Sequence, residues 1–263
     1  MNILVCVKQV PDTSGVEIQI DPQTGALLRD GVPSIVNPYD KYALERAVRL
    51  KETHGGMVTV VSMGPPQAEA ALRECLAVGA DRAVLLSDRV FAGSDTFATS
   101  YILAAAARKL GGFDLIFCGK HAIDGDTGQV GPELAEHLGI AQITYVAELE
   151  LSGSTLRAKR EHEEGYERYE AALPVLVSVV KTETEPRFPT IKGKMAANRA
   201  EIVRWTVADL EINPAKVGLA GSPTKVLRSF TPTREKVGVM IAEGTAAEKA
   251  KQLISLLGEA KVI

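Results

Sequence analysis

Residues 58–86, VTVVSMGPPQAEAALRECLAVGADRAVLL, decide the fold because they hold a strand, a helix and a second strand in direct succession. Val58–Ser62 and Ala83–Leu86 are short, nearly continuous apolar runs, which are typical of strands buried on both faces. Between them, Gln67–Val78 repeats its apolar residues at helical spacing, and Gly79 is suited to end that helix. Two such strands joined by a helix predict a parallel pair with a right-handed crossover.

The same alternation continues on both sides of this stretch. Ile3–Val7 and Leu115–Cys118 are further apolar strand candidates. Asn37 is a suitable N-cap, and Pro38 suits the first position of a helix. Further helices are predicted from Pro38 onward, from Ser94 to about Leu110, and from Thr127 or Gly128 to near Gly139. The whole pattern predicts an α/β fold, in which a parallel sheet carries helices on both faces.

Two segments interrupt the alternation of strands and helices. Asp21–Gly31 is a turn-rich excursion between the β-rich runs Val16–Ile20 and Val32–Val36. Tyr145–Tyr169 has the pattern of a β-hairpin insertion, with Gly153-Ser154 as its turn. We therefore expect a hairpin to be added to the parallel sheet.

The sequence changes in character from about Trp205. Repeated Pro and Gly residues predict an extended arm in place of further sheet, and one amphipathic helix follows at about Ala246–Leu257. We therefore divide the chain into an α/β domain, residues 1–205, and a C-terminal arm, residues 206–263. At this point two hypotheses stay open: the arm wraps its own domain, or it packs on another chain.

The composition excludes several classes of protein. The 263 residues include 30 Lys and Arg against 33 Asp and Glu, and a net charge of −3 argues against a nucleic-acid surface. The longest strongly apolar run, Leu173–Val180, is far shorter than the roughly 20 residues that span a bilayer, and no signal peptide is visible. Cys6, Cys75 and Cys118 are widely spaced without a CxxC pair. We therefore expect reduced thiols, a cytoplasmic protein, and neither an iron–sulfur nor a zinc site.

The strongest ligand signal follows the strand Leu115–Cys118. Ligands bind beyond the carboxyl ends of parallel strands, and here residues 119–131, GKHAIDGDTGQVG, lead into a helix. Glycines let the backbone approach a ligand, and a helix N-terminus attracts an anion, so the loop predicts a phosphate or pyrophosphate site. Its glycine spacing fits neither a P-loop nor the dinucleotide fingerprint. An ordinary strand-to-helix turn is the alternative.

The charged residues of this loop carry no catalytic pattern. Asp124 and Asp126 would repel a phosphate that they faced, so we expect them to hold the loop or cap its helix. A calcium loop does not fit, because Ala135 stands where a glutamate is needed. The loop holds one histidine, His121, and the sequence contains neither a GxSxG elbow nor an HExxH helix. A nucleotide cradle without catalytic side chains suits a protein whose chemistry belongs to a bound cofactor.

A series of motifs then occurs in one order along the chain. The series is Cys6–Asp12, Asn37–Asp40, Ala43–Glu45, Met63–Ala68, Ala77–Arg82, Gly119–Gly131 and Glu185–Phe188. Together these motifs resemble the beta subunit of electron transfer flavoproteins over essentially the whole chain. The resemblance implies a Rossmann-like α/β domain and a heterodimer. In that heterodimer the alpha subunit carries an FAD, and the C-terminal arm of the beta subunit packs on it.

The resemblance also implies a nucleotide site in this subunit, which holds AMP in ordinary members of the family. By similarity, its contacts map onto Cys6, Asn37, Pro38, Tyr39, Asp40, Met63, Gly119, Lys120, His121, Ala122, Ile123, Asp124, Gly125, Asp126, Thr127, Gly128, Gln129 and Val130. These residues follow the strands at which ligands of a parallel sheet are expected.

A second branch of the family binds FAD in place of AMP, accepts a hydride from NADH and divides the electrons between two acceptors. Met63–Ala68, Phe91–Thr96 and Ile123–Thr127 are similar to that branch, and Asp95 and Thr96 are expected to meet the flavin. Lys181–Arg199 departs from the branch. In the family this region is a loop that docks on an acyl-CoA dehydrogenase-type partner, and Ile191 is its expected anchor.

Ferredoxin or flavodoxin is the other acceptor that the FAD-binding branch implies. Two alternatives stay open from the sequence. One is an ordinary family member that holds AMP. The other, from a different class, is a nucleotide-sensing regulatory module of similar fold.

Overall fold

The computed structural model describes residues 1–12, 19–20, 27–28, 33–227 and 238–263. The chain divides into two compact units, Met1–Gln19 with Leu27–Leu227, and Ile20–Ala26 with Arg228–Ile263. Within the turn-rich segment Asp21–Gly31, the structure describes only Leu27–Leu28, which form a short strand.

The strands are β1 Asn2–Cys6, β2 Gln9–Pro11, β3 Gln19–Ile20, β4 Leu27–Leu28, β5 Ser34–Val36, β6 Met57–Met63, β7 Arg82–Leu86, β8 Leu115–Gly119, β9 Ala141–Ser152, β10 Thr155–His162, β11 Gly165–Ala172, β12 Val175–Val179 and β13 Val203–Trp205. The α-helices are α1 Pro38–His54, α2 Glu69–Val78, α3 Thr96–Leu110, α4 Val130–Leu138, α5 Ile191–Arg199, α6 Gly218–Gly221 and α7 Ala246–Glu259. Within the part of the chain that the structure describes, no helix is both long and apolar enough to cross a bilayer.

The main sheet has nine strands among the described residues, in the order β11-β10-β9-β12-β8-β1-β6-β7-β13. The pairings from β9 through to β13 are parallel, whereas β10 pairs antiparallel with both β9 and β11. The chain runs from β1 to β6 and β7 on one side, then returns to β8 on the other side of β1. The point at which the strand order reverses therefore lies between β1 and β8, where an open parallel sheet binds its ligand.

Helices cover both faces of the sheet, as the sequence predicted. Alternate residues of β1 point to opposite faces, so Ile3 and Leu4 belong to different core clusters. Leu72 of α2 packs in the cluster of Ile3, and Ile102 of α3 packs in that of Leu4. All four side chains are fully buried. The α/β prediction is confirmed.

The hairpin prediction is confirmed, and the insertion is larger than expected. Strands β9 and β10 pair as Ser152 with Thr155 across the predicted turn, where Gly153 has a φ of 60°. A second turn then adds β11, whose residue Gly165 pairs with His162. The sheet therefore gains an antiparallel extension beyond its parallel strands.

Several boundaries differ from the sequence prediction. Asp95, not Ser94, is the N-cap of α3, and α4 begins at Val130, later than Thr127 or Gly128. Residues 206–227 lie in the same compact unit as the sheet, although the sequence placed them in the arm. Their apolar side chains explain the difference, because Leu210 and Val217 are buried in the core cluster that contains α3. The terminal helix α7 forms as predicted.

The expected loop at Lys181–Arg199 is wrong in its second half, which is helix α5. Thr190 caps this helix by accepting the N–H of Gly193 at 2.9 Å. At the other end, Arg73 of α2 donates to the carbonyl of Ala197 at 2.8 Å. A capped first turn and an anchored last turn favour the helix over a loop.

Candidate functional site

The carboxylate of Asp40 fastens together the two strands that flank the reversal of strand order. Its Oδ2 accepts the N–H of Lys8, just beyond β1, at 2.8 Å, and its Oδ1 accepts the N–H of Gly119, at the end of β8, at 3.1 Å. Burial raises the pKa of Asp40 to about 7, although hydrogen bonds from Asn37, Lys8 and Gly119 act in the opposite direction. The first turn of α1 thus fixes the floor of the site.

Asn37 connects this floor to the β8 loop, which we define as residues 120–129. Its side-chain amide donates to Oδ1 of Asp40 at 3.0 Å and to the carbonyl of His121 at 2.9 Å. Its Oδ1 accepts the N–H of Ile123 at 3.1 Å. Asn37 occupies the predicted N-cap position, but its side chain makes no capping bond to the backbone of α1, because its amide is used on the loop and on the side chain of Asp40.

The two aspartates of the β8 loop hold the loop through the side chains of Lys8 and His121, where the sequence predicted that they would hold it or cap its helix. Lys8 Nζ lies 2.7 Å from Oδ1 of Asp124, and His121 Nδ1 lies 3.2 Å from Oδ1 of Asp126. Asp126 has a φ of 52°. In addition, the rings of Tyr39 and His121 meet edge to face with centroids 4.6 Å apart. The loop is therefore tied to β1 and α1 on one side.

The other side of the loop is open. Among the described residues, no side chain caps the amino end of α4, so the first N–H groups of that helix are available to an anion. A Cβ on Gly125 would meet no described atom within 4 Å, and Gly128 has a φ of 65°. By contrast, a Cβ on Gly119 would lie 2.3 Å from Oδ1 of Asp40. Free N–H groups beside an exposed glycine backbone fit the phosphate of a nucleotide.

The β7 loop, residues 87–95, differs because the chain itself fills it. The Asp95 carboxylate accepts the N–H of Ala98 at 3.0 Å and that of Thr224 at 2.8 Å. Ser94 Oγ accepts the N–H of Gly218 at 2.9 Å, and Ser222 Oγ accepts the N–H of Asp95 at 2.8 Å. Of the two residues that the sequence assigned to a flavin, Asp95 is thus in contact with residues 222–224.

Thr96 brings the two loops together at the start of α3. Its hydroxyl lies 3.1 Å from Oε1 of Gln129 and 3.2 Å from Oε1 of Glu133 in α4. Burial raises the pKa of Glu133, although the hydroxyls of Thr96 and Ser100 act in the opposite direction. Thr96, which directly follows the β7 loop, therefore lies beside the uncapped amino end of α4.

The remaining predicted contacts lie at strand ends on the same edge. Cys6 ends β1 and Met63 ends β6, while Cys6 pairs with Val61 across these two strands. The thiol of Cys6 hydrogen-bonds to Cys118 of β8, which together with burial raises the pKa of Cys118. Among the described residues, no group of three His, Cys, Asp or Glu could hold a metal ion.

A separate apolar surface lies near α5. Ile191, at the first position of the helix, is 81% exposed, and Phe188 is 91% exposed. Residues 185–189 are held against α1, because Arg187 pairs with Glu45 at 2.9 Å and Tyr42 Oη donates to Glu185 at 2.7 Å. The two apolar side chains are therefore presented to solvent on a fastened segment.

Sequence reasoning missed three contributions to these surfaces. Lys8 directly follows a predicted strand, which was a signal that it could reach the ligand edge. Phe188 stands inside a motif that was noticed only for its resemblance. Tyr145, whose hydroxyl oxygen would lie 3.6 Å from a Cβ on Gly128, gave no sequence signal, because its position depends on an irregularity in the pairing of β9 with β10 and β12.

The fold agrees with what comparison with known proteins shows. The model of the electron transfer flavoprotein domain matches residues 24–210. The chain is 51% identical, over the full length of both chains, to the electron transfer flavoprotein subunit beta of Thermoanaerobacterium thermosaccharolyticum. The chain belongs to the electron transfer flavoprotein beta-subunit family. Its role is therefore electron transfer, as the sequence predicted.

Two relatives of this beta subunit carry more specific names. It is 47% identical to the caffeyl-CoA reductase-Etf complex subunit CarD of Acetobacterium woodii, and 46% identical to the acryloyl-CoA reductase electron transfer subunit gamma of Anaerotignum propionicum. Both comparisons cover the whole of each chain. Beta subunits of this family pair with an alpha subunit and with redox enzymes.

Proposed function

We propose that this beta subunit binds an FAD of its own and accepts electrons from NADH within the heterodimer. The open β8 loop carries the proposal, because it offers the uncapped amino end of α4 beside the exposed backbone of Gly125. In the ordinary branch of the family the same loop would hold AMP. The bound flavin would supply the exchange between hydride and single-electron transfer, and the protein would bind and orient it.

The chain's own residues have distinct parts in this proposal. The N–H groups at the start of α4 and the backbone at Gly128 hold phosphate. Asn37 and Asp40 fix the loop, while Thr96 offers its hydroxyl to the polar part of the flavin. Both oxygens of Asp95 already accept an N–H, and the Thr96 hydroxyl already meets Gln129 and Glu133, so each would meet the flavin through its remaining hydrogen-bonding capacity.

The names of the relatives support the wider electron path. Two of them belong to reductases of CoA thioesters, and a partner of the acyl-CoA dehydrogenase type would exchange electrons with the alpha-subunit FAD. Ferredoxin or flavodoxin would take the other electron.

The arm beyond residue 227 would pack on the alpha subunit. Three free, buried cysteines suit the reducing cytoplasm that we propose as its compartment.

The proposed docking site for the dehydrogenase is the apolar surface at Ile191 and Phe188. A cavity of about 380 Å³ lies beside it, lined by α1, α2 and residues 185–189. Exposed apolar anchors next to a concave surface are typical of interfaces.

Ile191→Ala should slow electron transfer to the dehydrogenase about tenfold, with flavin content unchanged. Met57→Ala is the matched control, because Met57 is a 40% exposed apolar residue that lies at the amino end of β6. Equal transfer rates in both variants would remove Ile191 from the docking site.

Anaerobic reduction by NADH tests the proposed function directly. The wild-type heterodimer should lose flavin absorbance on adding NADH without any dehydrogenase present. Gly125→Val should abolish this reduction, because its side chain would occupy the space into which a ligand approaches the backbone. The alpha-subunit flavin stays bound in that variant and serves as the internal reference. A heterodimer that NADH fails to reduce belongs to the ordinary branch.

A further inference from the structure

The segment that carries Phe188 is joined to α1 by polar contacts. We define residues 185–189 as the docking segment. A cavity of about 380 Å³ is lined by α1, α2 and this segment, so apolar packing among the described residues does not close the gap between them. The contacts that bridge it are the hydrogen bond from Tyr42 to Glu185 and the ion pairs of Arg187. The position of Phe188 therefore depends on these contacts.

Arg187 reaches two carboxylates that lie two turns apart on α1. Its Nε and Nη2 donate to the two oxygens of Glu45 at 2.9 Å and 3.2 Å, and its Nη1 and Nη2 donate to those of Glu52 at 2.5 Å and 2.9 Å. The backbone N–H of Arg187 also donates to Oε2 of Glu45, at 3.0 Å. Paired N–H···O bonds fix the orientation of a guanidinium, so both the side chain and the main chain of Arg187 are held.

The carboxylate of Glu45 is the buried half of this arrangement. Burial opposes its ionisation, but hydrogen bonds from Arg187 and Arg49 prevail and lower the pKa of Glu45. An exposed ion pair contributes little, whereas removing one partner of a buried carboxylate is costly. Arg187 is therefore held on α1 more firmly than a surface ion pair would hold it.

A close approach of two backbones fixes helix α5, on which Ile191 lies. A Cβ on Gly193 would lie 2.2 Å from the carbonyl oxygen of Ala77, in the last turn of α2. Glycine has no side chain, so it lets the two helices meet at this distance. Gly193 comes two residues after Ile191, so a larger side chain there would displace the first turn of α5 together with Ile191.

We infer that Arg187 and Gly193 are positioning residues for electron exchange with the dehydrogenase, because they hold Phe188 and Ile191 in the docking geometry before the partner binds. The inference rests on the docking part of the proposed function and does not depend on which nucleotide this subunit holds. A surface that is ordered in advance loses less conformational entropy on association. Loss of either residue should therefore weaken association and leave electron transfer within the formed complex unchanged.

Steady-state kinetics of a purified acyl-CoA dehydrogenase, with the heterodimer as the varied redox partner, test the inference. Arg187→Lys keeps the charge but loses the planar fork, so the KM for the heterodimer should rise about tenfold while kcat stays within about twofold. Arg49→Lys is the matched control, because Arg49 contacts the same carboxylate of Glu45 at 2.5 Å from within α1. It should leave the KM unchanged, since it does not release the docking segment.

Amide hydrogen exchange of the docking segment in the free heterodimer separates positioning from direct contact with the partner. Exchange at Arg187 and Phe188 should rise in wild-type sequence changed only by Arg187→Lys, and it should stay at the wild-type level in Arg49→Lys. A raised KM with unchanged exchange would mean that Arg187 touches the dehydrogenase itself, which would overturn the inference.

A second variant changes no charge. Gly193→Ala favours helix formation, so α5 should persist, but its Cβ forces the helix away from Ala77. Its KM should also rise about tenfold at constant kcat. Unchanged KM values in Arg187→Lys and Gly193→Ala would overturn the inference, even where Ile191→Ala confirms the docking site. A heterodimer that holds AMP in place of a second FAD would contradict the proposed cofactor and still show both effects.

Discussion

The β8 loop and the β7 loop leave the same edge of the same sheet, yet one is open and the other is filled. In the β8 loop, Lys8 and Asn37 hold one side, and the start of α4 is left without a cap. In the β7 loop, residues 218–224 take up the polar groups of Ser94 and Asp95. Position at a strand end therefore does not by itself make a ligand site. What decides is whether the chain supplies its own partners for the groups exposed there.

The largest effect should come from Gly119, where the open loop meets its floor. A valine there would place Cβ 2.3 Å from Oδ1 of Asp40 and 2.7 Å from the backbone of Tyr39. Such overpacking should lower the free energy of unfolding by about 3 kcal/mol, as measured by urea denaturation. Gly112→Val is the control, because its Cβ would meet no described atom within 4 Å. If both variants unfold alike, Gly119 has no special role in the floor.

Gly125→Val should act on binding instead of folding, since its Cβ would meet no described atom within 4 Å. We expect the free energy of unfolding of the nucleotide-free protein to change by less than about 0.5 kcal/mol. Nucleotide affinity should fall by at least about 2 kcal/mol, which calorimetry measures as roughly 30-fold or more, so that the site is empty after purification. Unchanged affinity would show that ligand does not approach the loop at Gly125.

Asp40, in the floor beneath the β8 loop, and Asp95, in the β7 loop, should give the free energy of unfolding opposite dependences on pH. Burial raises the pKa of Asp40 to about 7, so the folded state holds a proton that the unfolded state releases above about pH 4. Stability should therefore fall between pH 5 and pH 7, by at most about 1.4 kcal/mol per pH unit. Asp40→Asn should lower stability overall but flatten this slope in urea denaturation series. An identical slope in the variant would exclude Asp40 as its source.

Asp95 should show the reverse dependence. Burial opposes ionisation, but the N–H donors of Ala98 and Thr224 prevail and lower the pKa of Asp95. The stabilisation that ionised Asp95 contributes is fully present at pH values above the usual aspartate pKa. It is lost as the pH falls through the lowered pKa of the folded state. A difference between wild type and Asp95→Asn that persists undiminished in acid would contradict this assignment.

The smallest effect should be that of Asp95→Ala at neutral pH. Loss of the α3 cap should cost about 1 kcal/mol of unfolding free energy. Hydrogen exchange at Thr224 should rise, because its N–H loses its acceptor. Thr99→Ala, within the same helix, serves as the control. An unchanged exchange rate at Thr224 would show that residues 222–224 are held by other contacts.

Much of this contrast was beyond the reach of the sequence. Strand ends and glycines were readable locally, so the β8 loop was predicted from them, whereas Asn37 and Asp40 were expected as nucleotide contacts only from the family resemblance. The filling of the β7 loop depends on Gly218 and Thr224, more than a hundred residues away in the chain. A strand irregularity such as the one at Tyr145 depends on pairing with two neighbours, and the periodicity of one strand does not reveal it.

The nucleotide content of the purified heterodimer tests the central claim most directly. Denaturation followed by chromatography and absorbance measures FAD and AMP per heterodimer. If the β8 loop holds FAD, the protein should release about two FAD and no AMP, and Gly125→Val should release about one FAD, because only the alpha-subunit site remains. One FAD together with one AMP in the wild type would contradict the account and place the chain in the ordinary branch of the family.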